Sequence, residues 1–253
     1  MSRFLTALIL TALLTGCGNH ASEGPVSVTY KDRDAERSQD VLDRSNRAIR
    51  RISAFWGTSF NEPVKINIDP SVNRSSAFYA DRFINVSSVE VNGYPGVIEH
   101  EIAHLVVNRD VENRQFMSEG IAVYCEMRFK DAKDASEALL AERIDGPARN
   151  SIQRNGYLRL DQTDSAITDA AGRYFSQRIT AYFEAASFVH YLISTYGLES
   201  FKSAYHGAPF EAVYGKDAAG LEAEWLDVTF PDLGGHGLQG KPAVKTLTAG
   251  LAQ

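Results

Sequence analysis

The spacing of apolar and polar side chains changes several times along the chain, and each change predicts an element. Residues 34–56 carry apolar side chains at helical spacing, which predicts a long amphipathic helix. Residues 63–70 alternate apolar and polar side chains between two prolines, and residues 78–87 contain a similar run, so two strands are expected. Helical spacing then returns in residues 97–107, 118–126, 133–144, 177–196, 199–206 and 217–228. A loop is expected around residues 147–156, and the whole pattern predicts an α+β domain that is mostly helical with a small N-terminal β-sheet.

The helix predicted over residues 97–107 contains His100-Glu101-Ile102-Ala103-His104, which matches the pattern HExxH. Positions four apart lie about one turn apart on the same helix face, so His100 and His104 can bind one metal ion together. Glu101 lies on nearly the same face and can hold and deprotonate a metal-bound water. The apolar flanks indicate a buried helix, where a metal satisfies these polar groups. The alternative is a solvated helix that carries two histidines and no metal.

A catalytic zinc ion usually has three protein ligands and one open position, so a third ligand is needed. Glu119 is the favoured candidate, because fourteen residues lie between it and His104, enough for a turn and the start of a second helix. Ser118 is a suitable N-cap for that helix, and Gly120 suggests the close approach of another helix. Asp110 is the alternative third ligand. It is disfavoured because the sharp turn that would return it to the metal normally needs Gly where this chain has Val107.

HEIAH followed at this distance by EGIAVY resembles the gluzincins, in particular the bacterial peptidase MA-like group, over about residues 34–230. The resemblance implies a zincin-like metallopeptidase domain in which Zn²⁺ is bound by His100, His104 and Glu119, the ligand types of thermolysin. It also implies that Glu101 is the general base. Glu126 lies seven residues after Glu119 on the same face, where it either supports the site or is solvated.

The helix predicted over residues 177–196 resembles the helix that carries a transition-state tyrosine in the more distant aminopeptidases. The resemblance implies that Tyr182 stabilises the oxyanion, whereas a packing role is the alternative for a tyrosine in an apolar helix. Three other residues are alternatives for the oxyanion role: Tyr174, His190 and Tyr191. Residues 83–87 are expected to be an edge strand that pairs with the substrate backbone, as in zincins, and the alternative is an ordinary strand of the sheet. The Gly-rich recognition motif of the aminopeptidases is missing, so endopeptidase and exopeptidase activity both stay open.

The N-terminal residues predict export. Arg3 precedes an apolar stretch, residues 4–14, that is too short to span a membrane as a mature helix. Leu14-Thr15-Gly16-Cys17 resembles a bacterial lipoprotein signal, which implies cleavage after Gly16 and lipidation of Cys17. The implied location is the bacterial cell envelope, on the periplasmic face of the outer membrane or on the cell surface. An ordinary secretory signal is the alternative.

Composition and charge indicate which partners are not expected and how the chain is divided into segments. The net charge is −6 and no basic stripe is present, so a nucleic-acid partner is not expected. With Cys17 lipidated, Cys125 has no disulfide partner, and we expect it to be a small buried side chain. The expected organisation is a signal peptide at residues 1–16, a linker at 17–33, the zincin-like catalytic domain at 34–230 and a flexible tail at 231–253.

These observations predict a lipid-anchored zinc metallopeptidase that hydrolyses a peptide or protein substrate with a metal-activated water and Glu101 as general base. A zinc-containing envelope binding or assembly lipoprotein that does not cleave is the first alternative. A protein without metal, in which the HExxH helix is only structural, is the second. Metal content separates the second alternative from the others, and cleavage of a peptide library separates the remaining two.

Overall fold

A small sheet followed by a larger set of helices makes up the computed structural model, which describes residues 19–107, 115–168 and 175–234. The strands are β1 Asn19–Glu23, β2 Val26–Tyr30, β3 Val64–Asp69, β4 Ser76–Phe78 and β5 Phe83–Ser87. The helices are α1 Ala35–Trp56, α2 Ser88–Gly93, α3 Val97–Val107, α4 Gln115–Phe129, α5 Glu137–Leu140, α6 Gly146–Asn155, α7 Leu160–Thr168, α8 Phe175–Tyr196, α9 Leu198–Tyr205, α10 Phe210–Tyr214 and α11 Ala218–Thr229. A π-helical turn, Ala141–Asp145, joins α5 to α6. The expected mixed α+β architecture with a small N-terminal sheet is therefore confirmed.

The sheet has the strand order β1-β2-β3-β5-β4. The three inner strands are parallel, with Val28 beside Ile66 and Ile66 beside Ile84, whereas β1 and β4 run antiparallel at the two edges. Helix α1 connects β2 to β3, as parallel strands require a crossover, and packs against the sheet. The side chains of Val28, Ile66 and Ile84 are buried, so one face of the sheet forms the core with α1.

The predicted linker at residues 17–33 is wrong, because β1 and β2 lie inside it and form one side of the sheet. The two strands form a tight hairpin in which Gly24 adopts a positive φ of 59°, a conformation that glycine allows without strain. Val26 and Val28 are buried in the core. The described domain therefore begins before Asp34. The prediction failed because β1 has almost no apolar residues, and Gly, Pro and charged residues surround the short alternating run of β2.

The predicted edge strand, residues 83–87, is also wrong in its position within the sheet. These residues do form a strand, β5. However, β5 is not at the edge of the sheet, because it pairs with β3 on one side and with β4 on the other. The outer strand beside the helices is β4, which has only three residues and was not predicted separately. β4 lies close to α3, so the sheet edge next to the HExxH helix belongs to residues 76–78.

Most of the long helices lie where the spacing predicts them, and two local predictions are wrong. Residues 147–156 were expected to be a loop but lie mainly in α6, where Pro147 occupies the first turn directly after the π-helical turn. Ser118 is not an N-cap, because it lies inside α4 and is buried. The helices α7 and α10 were not predicted.

Helices α4 and α8 approach each other closely at Gly120, which confirms the reason expected for a glycine in this helix. A Cβ atom at this position would lie 2.6 Å from the carbonyl oxygen of Ala185 and 2.7 Å from Cγ2 of Val189. The facing side of α8 is lined by the fully buried Ala181, Ala185 and Ala186. Small residues on both helices allow their backbones to come into contact, and this contact sets the position of Glu119, the preceding residue.

Several predictions concern residues that the structure does not describe. Cys17, Asp110 and Tyr174 lie outside the described residues, as does most of the predicted tail. The lipid anchor therefore stays a prediction. Within residues 19–107, 115–168 and 175–234, no helix is both long enough and apolar enough to cross a membrane.

Replacing Gly120 with alanine is expected to destabilise the protein. The added methyl group would meet backbone rather than a movable side chain, and forcing an extra carbon into a packed core costs about 1–3 kcal/mol. Gly146→Ala is the control, because a Cβ there meets nothing within 4 Å. Denaturant unfolding of the two variants measures the free energy of unfolding, and equal stability would show that α4 and α8 do not depend on this contact.

Candidate metal centre

Helix α3 brings His100 and His104 together as their spacing predicts. Their rings lie with centroids 4.9 Å apart, and the two Nε2 atoms are separated by 3.2 Å. The other faces of α3 carry Ile98, Ile102 and Leu105, which are all buried in the core. Burial of the apolar positions fixes the rotation of α3 about its axis, so both imidazoles are held on the side that faces α4.

Glu119 joins the two histidines from α4. Its Oε2 atom lies 3.3 Å from Nε2 of His100 and 3.4 Å from Nε2 of His104. One nitrogen or oxygen atom from each of the three residues lies within 4.8 Å of the others, and together they could hold a metal ion. The favoured third ligand is therefore in place, while the alternative, Asp110, lies outside the described residues.

The donor set fits a divalent metal ion. Two imidazole nitrogens and a carboxylate oxygen direct lone pairs at one point in a partly buried site, an arrangement that a cation satisfies and that costs free energy without a partner. Imidazole and carboxylate ligands suit borderline metals such as Zn²⁺, and three protein ligands leave one coordination position open. His100, His104 and Glu119 could thus hold such an ion together.

The charges within the triad stabilise one another. Burial by itself lowers the pKa of His100, but its contacts with Glu119 and Glu126 and the charge of Glu101 raise that pKa well above its ordinary value. Burial raises the pKa of Glu119, yet the charge of His104 and hydrogen bonds with both histidines bring that pKa below its usual range. The carboxylate of Glu119 is therefore ionised at neutral pH, as a metal ligand must be.

Glu101, the expected general base, is buried in α3 between the two histidines, with 6 % of its surface exposed. Burial raises the pKa of its carboxyl group, and the charges of His100 and His104 oppose that rise. A general base works best when its pKa lies closer to neutral pH than that of a free glutamate. The environment of Glu101 thus shifts its basicity in the direction that the expected role requires.

Glu126 lies behind the triad and is not solvated, which decides between its two predicted roles. It is fully buried, and its Oε2 atom lies 3.4 Å from Nδ1 of His100. A carboxylate at Nδ1 favours the imidazole tautomer that has its proton there and its lone pair on Nε2, towards the metal position. Gly96 makes room for this carboxylate, because a Cβ at that position would lie 2.5 Å from Cγ of Glu126.

A buried ion pair anchors α3 to α1. The guanidinium of Arg44 lies 2.6 Å from Oε2 of Glu99, the residue before His100, and Glu99 is 1 % exposed. Burial lowers the pKa of Arg44, but the hydrogen bond and charge of Glu99 raise it overall. Removal of one partner would leave an uncompensated buried charge, which typically destabilises a protein by about 3–5 kcal/mol. This pair therefore stabilises the placement of the HExxH helix.

Tyr182 lies beside the triad, as the resemblance implies. Its ring centroid is 6.4 Å from that of His100, and its side chain is only partly buried. His190 lies in a different cluster, with Nδ1 3.1 Å from Oδ2 of Asp145 and Nε2 3.6 Å from Oε2 of Glu137. Tyr191 is buried and packs on other aromatic rings. Of the described candidates for the oxyanion role, Tyr182 is thus the one found next to the histidines.

Cys125 is fully buried and forms no disulfide, as expected. Burial raises the pKa of its thiol strongly and so disfavours the reactive thiolate form.

Two residues near the site were not predicted. Tyr94 lies just before α3, where loss of solvent and the charge of Glu126 raise the pKa of its hydroxyl. Arg178 lies one helical turn before Tyr182, and its guanidinium carbon is 6.0 Å from the Tyr182 ring centroid. The available signal for Arg178 was its position as the only lysine or arginine in the long apolar helix α8. Neither residue belongs to the two motifs, so spacing alone did not indicate them.

Comparisons with known proteins do not assign this site. No protein-family model matches the chain. A search of curated proteins finds no similar sequence. The interpretation of the metal centre therefore depends on its residues and their geometry.

Replacing Glu126 with glutamine is expected to weaken metal binding while the fold is kept, because the two side chains have nearly the same shape. Loss of a carboxylate that orients a metal-binding histidine typically lowers metal affinity about 10- to 100-fold. Glu211→Gln, at an exposed position on α10, is the control with the same change in charge. Competition with a chromophoric chelator measures the affinity of each variant for Zn²⁺, and an unchanged affinity would contradict the role of Glu126.

Proposed function

We propose that this chain is a zinc metallopeptidase of the gluzincin type, with a zincin-like catalytic domain. The observation that carries the proposal is the convergence of His100, His104 and Glu119 from two helices, with Glu101 on the same helix as the histidines. Metal-assisted peptide hydrolysis requires metal ligands and a nearby base. Here two histidines and the glutamate of the following helix would be the ligands, and the buried carboxylate of Glu101 would be the base.

The three ligand residues would hold Zn²⁺ and leave room for a water molecule and a substrate carbonyl. Zinc, when bound there, supplies a Lewis acid that polarises the carbonyl and makes water more acidic. Glu119 and the two histidines provide the charge and the orientation of this site, and Glu126 holds His100 in the matching tautomer.

Glu101 acts as general base and then as general acid. Its carboxylate accepts a proton from the attacking water as the new carbon–oxygen bond forms. The same carboxyl group donates that proton to the nitrogen of the leaving amine as the peptide bond breaks. Its burial keeps the proton between water, carboxyl group and amine and away from bulk solvent.

Tyr182 donates a hydrogen bond to the negative charge that develops on the carbonyl oxygen. Its ring lies 6.4 Å from that of His100, and partial exposure leaves the side chain accessible to a substrate. A hydrogen-bond donor aimed at the developing oxyanion lowers the reaction barrier, because the charge is larger in the transition state than in the substrate.

The substrate backbone is proposed to pair with β4. This strand is antiparallel to β5 at the sheet edge that lies near α3, so its outer groups can pair with an extended peptide. Phe78 in β4, Tyr94 before α3 and Ile179 in α8 are large apolar side chains that stay exposed on these elements. Their exposure supports contacts with apolar side chains of a peptide.

Metal analysis and a peptide library test the proposal together. The purified chain is expected to contain about one equivalent of zinc and to cleave peptides in a manner abolished by a chelator and restored by Zn²⁺. Bound zinc without cleavage of any library member would reject the peptidase and support the binding or assembly lipoprotein. Absence of stoichiometric zinc would reject both.

The Glu101→Gln variant is expected to keep its zinc and to lose peptide hydrolysis. Glutamine preserves the shape of the side chain but cannot accept the proton, and loss of a general base typically lowers the rate about 10²- to 10⁴-fold. Glu36→Gln, at an exposed position on α1, changes the net charge equally and should keep full activity. Zinc content and kcat are measured for both, and full activity of Glu101→Gln would overturn the mechanism.

The Tyr182→Phe variant is expected to lower kcat with little change in KM. Removal of one oxyanion donor typically lowers kcat about 10²- to 10³-fold, while the phenyl ring keeps its packing beside His100. Steady-state kinetics on a cleaved library peptide gives both constants. Wild-type kcat in this variant would assign Tyr182 to packing and direct attention to another donor.

A further inference from the structure

The position of Arg178 places a positive charge beside the metal centre. Its guanidinium carbon lies 6.0 Å from the ring centroid of Tyr182, and that ring lies 6.4 Å from the ring of His100. Tyr182 thus separates Arg178 from the metal ligands by a single side chain. If the reacting carbonyl of a substrate contacts Tyr182, a neighbouring group of the same substrate can contact the guanidinium of Arg178.

Arg178 forms no ion pair with any residue of the described part of the chain, and its Nε atom is buried without a hydrogen-bond partner. Three other partly buried arginines have carboxylate partners, namely Arg44 with Glu99, Arg51 with Asp134 and Arg143 with Asp131. The Nε atom of Arg47, like that of Arg178, is buried without a hydrogen-bond partner. The Tyr182 ring lies at the outer limit of cation–π contact. A buried donor on a charged group costs free energy when it has no acceptor, and a carboxylate that a ligand brings to this donor would relieve that cost.

Three carboxylates near the metal centre each lie close to another residue of the chain, and none of the three forms an ion pair with Arg178. Glu119 contacts both histidines, Glu126 contacts His100, and Glu99 is paired with Arg44. Arg178 has a planar set of N–H donors beside Tyr182. Carboxylates match this set, because a guanidinium can donate two parallel hydrogen bonds to their two oxygens.

We propose that Arg178 binds a carboxylate group of the peptide substrate. That carboxylate belongs either to the C-terminus of the peptide or to an Asp or Glu side chain near the cleaved bond. The inference rests on the proposed peptidase function and gives that site a substrate class, namely peptides with a negative charge close to the reacting carbonyl.

Peptide binding tests this assignment without relying on cleavage. The zinc-loaded full chain with Glu101→Gln is titrated calorimetrically with acetylated pentapeptide pools that differ only in charge. One pool ends in an amide, one ends in a free carboxylate, and two amidated pools carry Glu or Gln at each position in turn. We expect at least one carboxylate-bearing pool to bind about 10- to 100-fold more tightly than its neutral match. The pool that gains affinity identifies the source of the carboxylate.

Variants of Arg178 in the same Glu101→Gln chain show whether this gain in peptide affinity depends on Arg178. Arg178→Gln should remove the advantage of the acidic pool and leave binding of the neutral pools within about threefold, since only the charge-assisted hydrogen bonds are lost. Arg178→Lys should keep part of the advantage, because an ammonium supplies the charge without the planar pair of donors. Arg154→Gln, at an exposed position on α6, changes the net charge equally and should bind as the parent does.

Two results would overturn the proposal. One is equal binding, or no binding, of the acidic and neutral pools by the chain that keeps Arg178, and this comparison holds even if a variant fails to fold. The other is an acidic advantage that survives Arg178→Gln. Cleavage is measured separately with the wild-type chain. Acidic peptides that bind through Arg178 but are not cleaved would reject the peptidase alone, whereas cleavage without a preference for charge would reject the role of Arg178 alone.

Discussion

The backbone contact between α4 and α8 at Gly120 determines the geometry of the metal centre. Glu119 is the residue before this glycine. The carbonyl oxygen of Ala185 faces Gly120, and Tyr182 lies about one turn before Ala185 in α8. A larger residue at position 120 would separate the two helices and change the distances from Glu119 to the histidines and from Tyr182 to His100. Because protein interiors are closely packed, such a shift is not absorbed locally.

Near this contact, buried charged side chains on α3 lie close to side chains of opposite charge on neighbouring helices. Arg44 neutralises Glu99 and ties α3 to α1, while Glu126 faces Nδ1 of His100 from α4. The directions of the pKa shifts follow from these pairs. His100 gains basicity from its two carboxylates, and Glu119 becomes more acidic beside its two histidines. Buried charges without partners would be too costly to keep, so the same pairs that hold the helices also set the protonation of the site.

How much the sequence predicts depends on the length of the element. The helices α1, α3 and α8 span several turns, so the spacing of their apolar residues predicts them well. Short strands are predicted less consistently: β5, with five residues, is predicted, whereas β1, β2 and β4 are not. Residues 19–30 are assigned to a linker because Gly, Pro and charged residues surround their few apolar positions. The loop predicted around residues 147–156 is wrong because a proline can also lie in the first turn of a helix, as Pro147 does in α6.

The sequence by itself determined that His100, Glu101 and His104 share one side of a helix, since the helical pitch is a local property of the backbone. It also indicated a close helix contact at Gly120. Only the tertiary structure decided that Glu119 reaches both histidines, that Glu126 is buried behind His100, that β4 rather than β5 is the sheet edge, and that Arg178 lies beside Tyr182. These relations join residues far apart in the chain. They depend on how the helices and the sheet pack against each other, which no local spacing specifies.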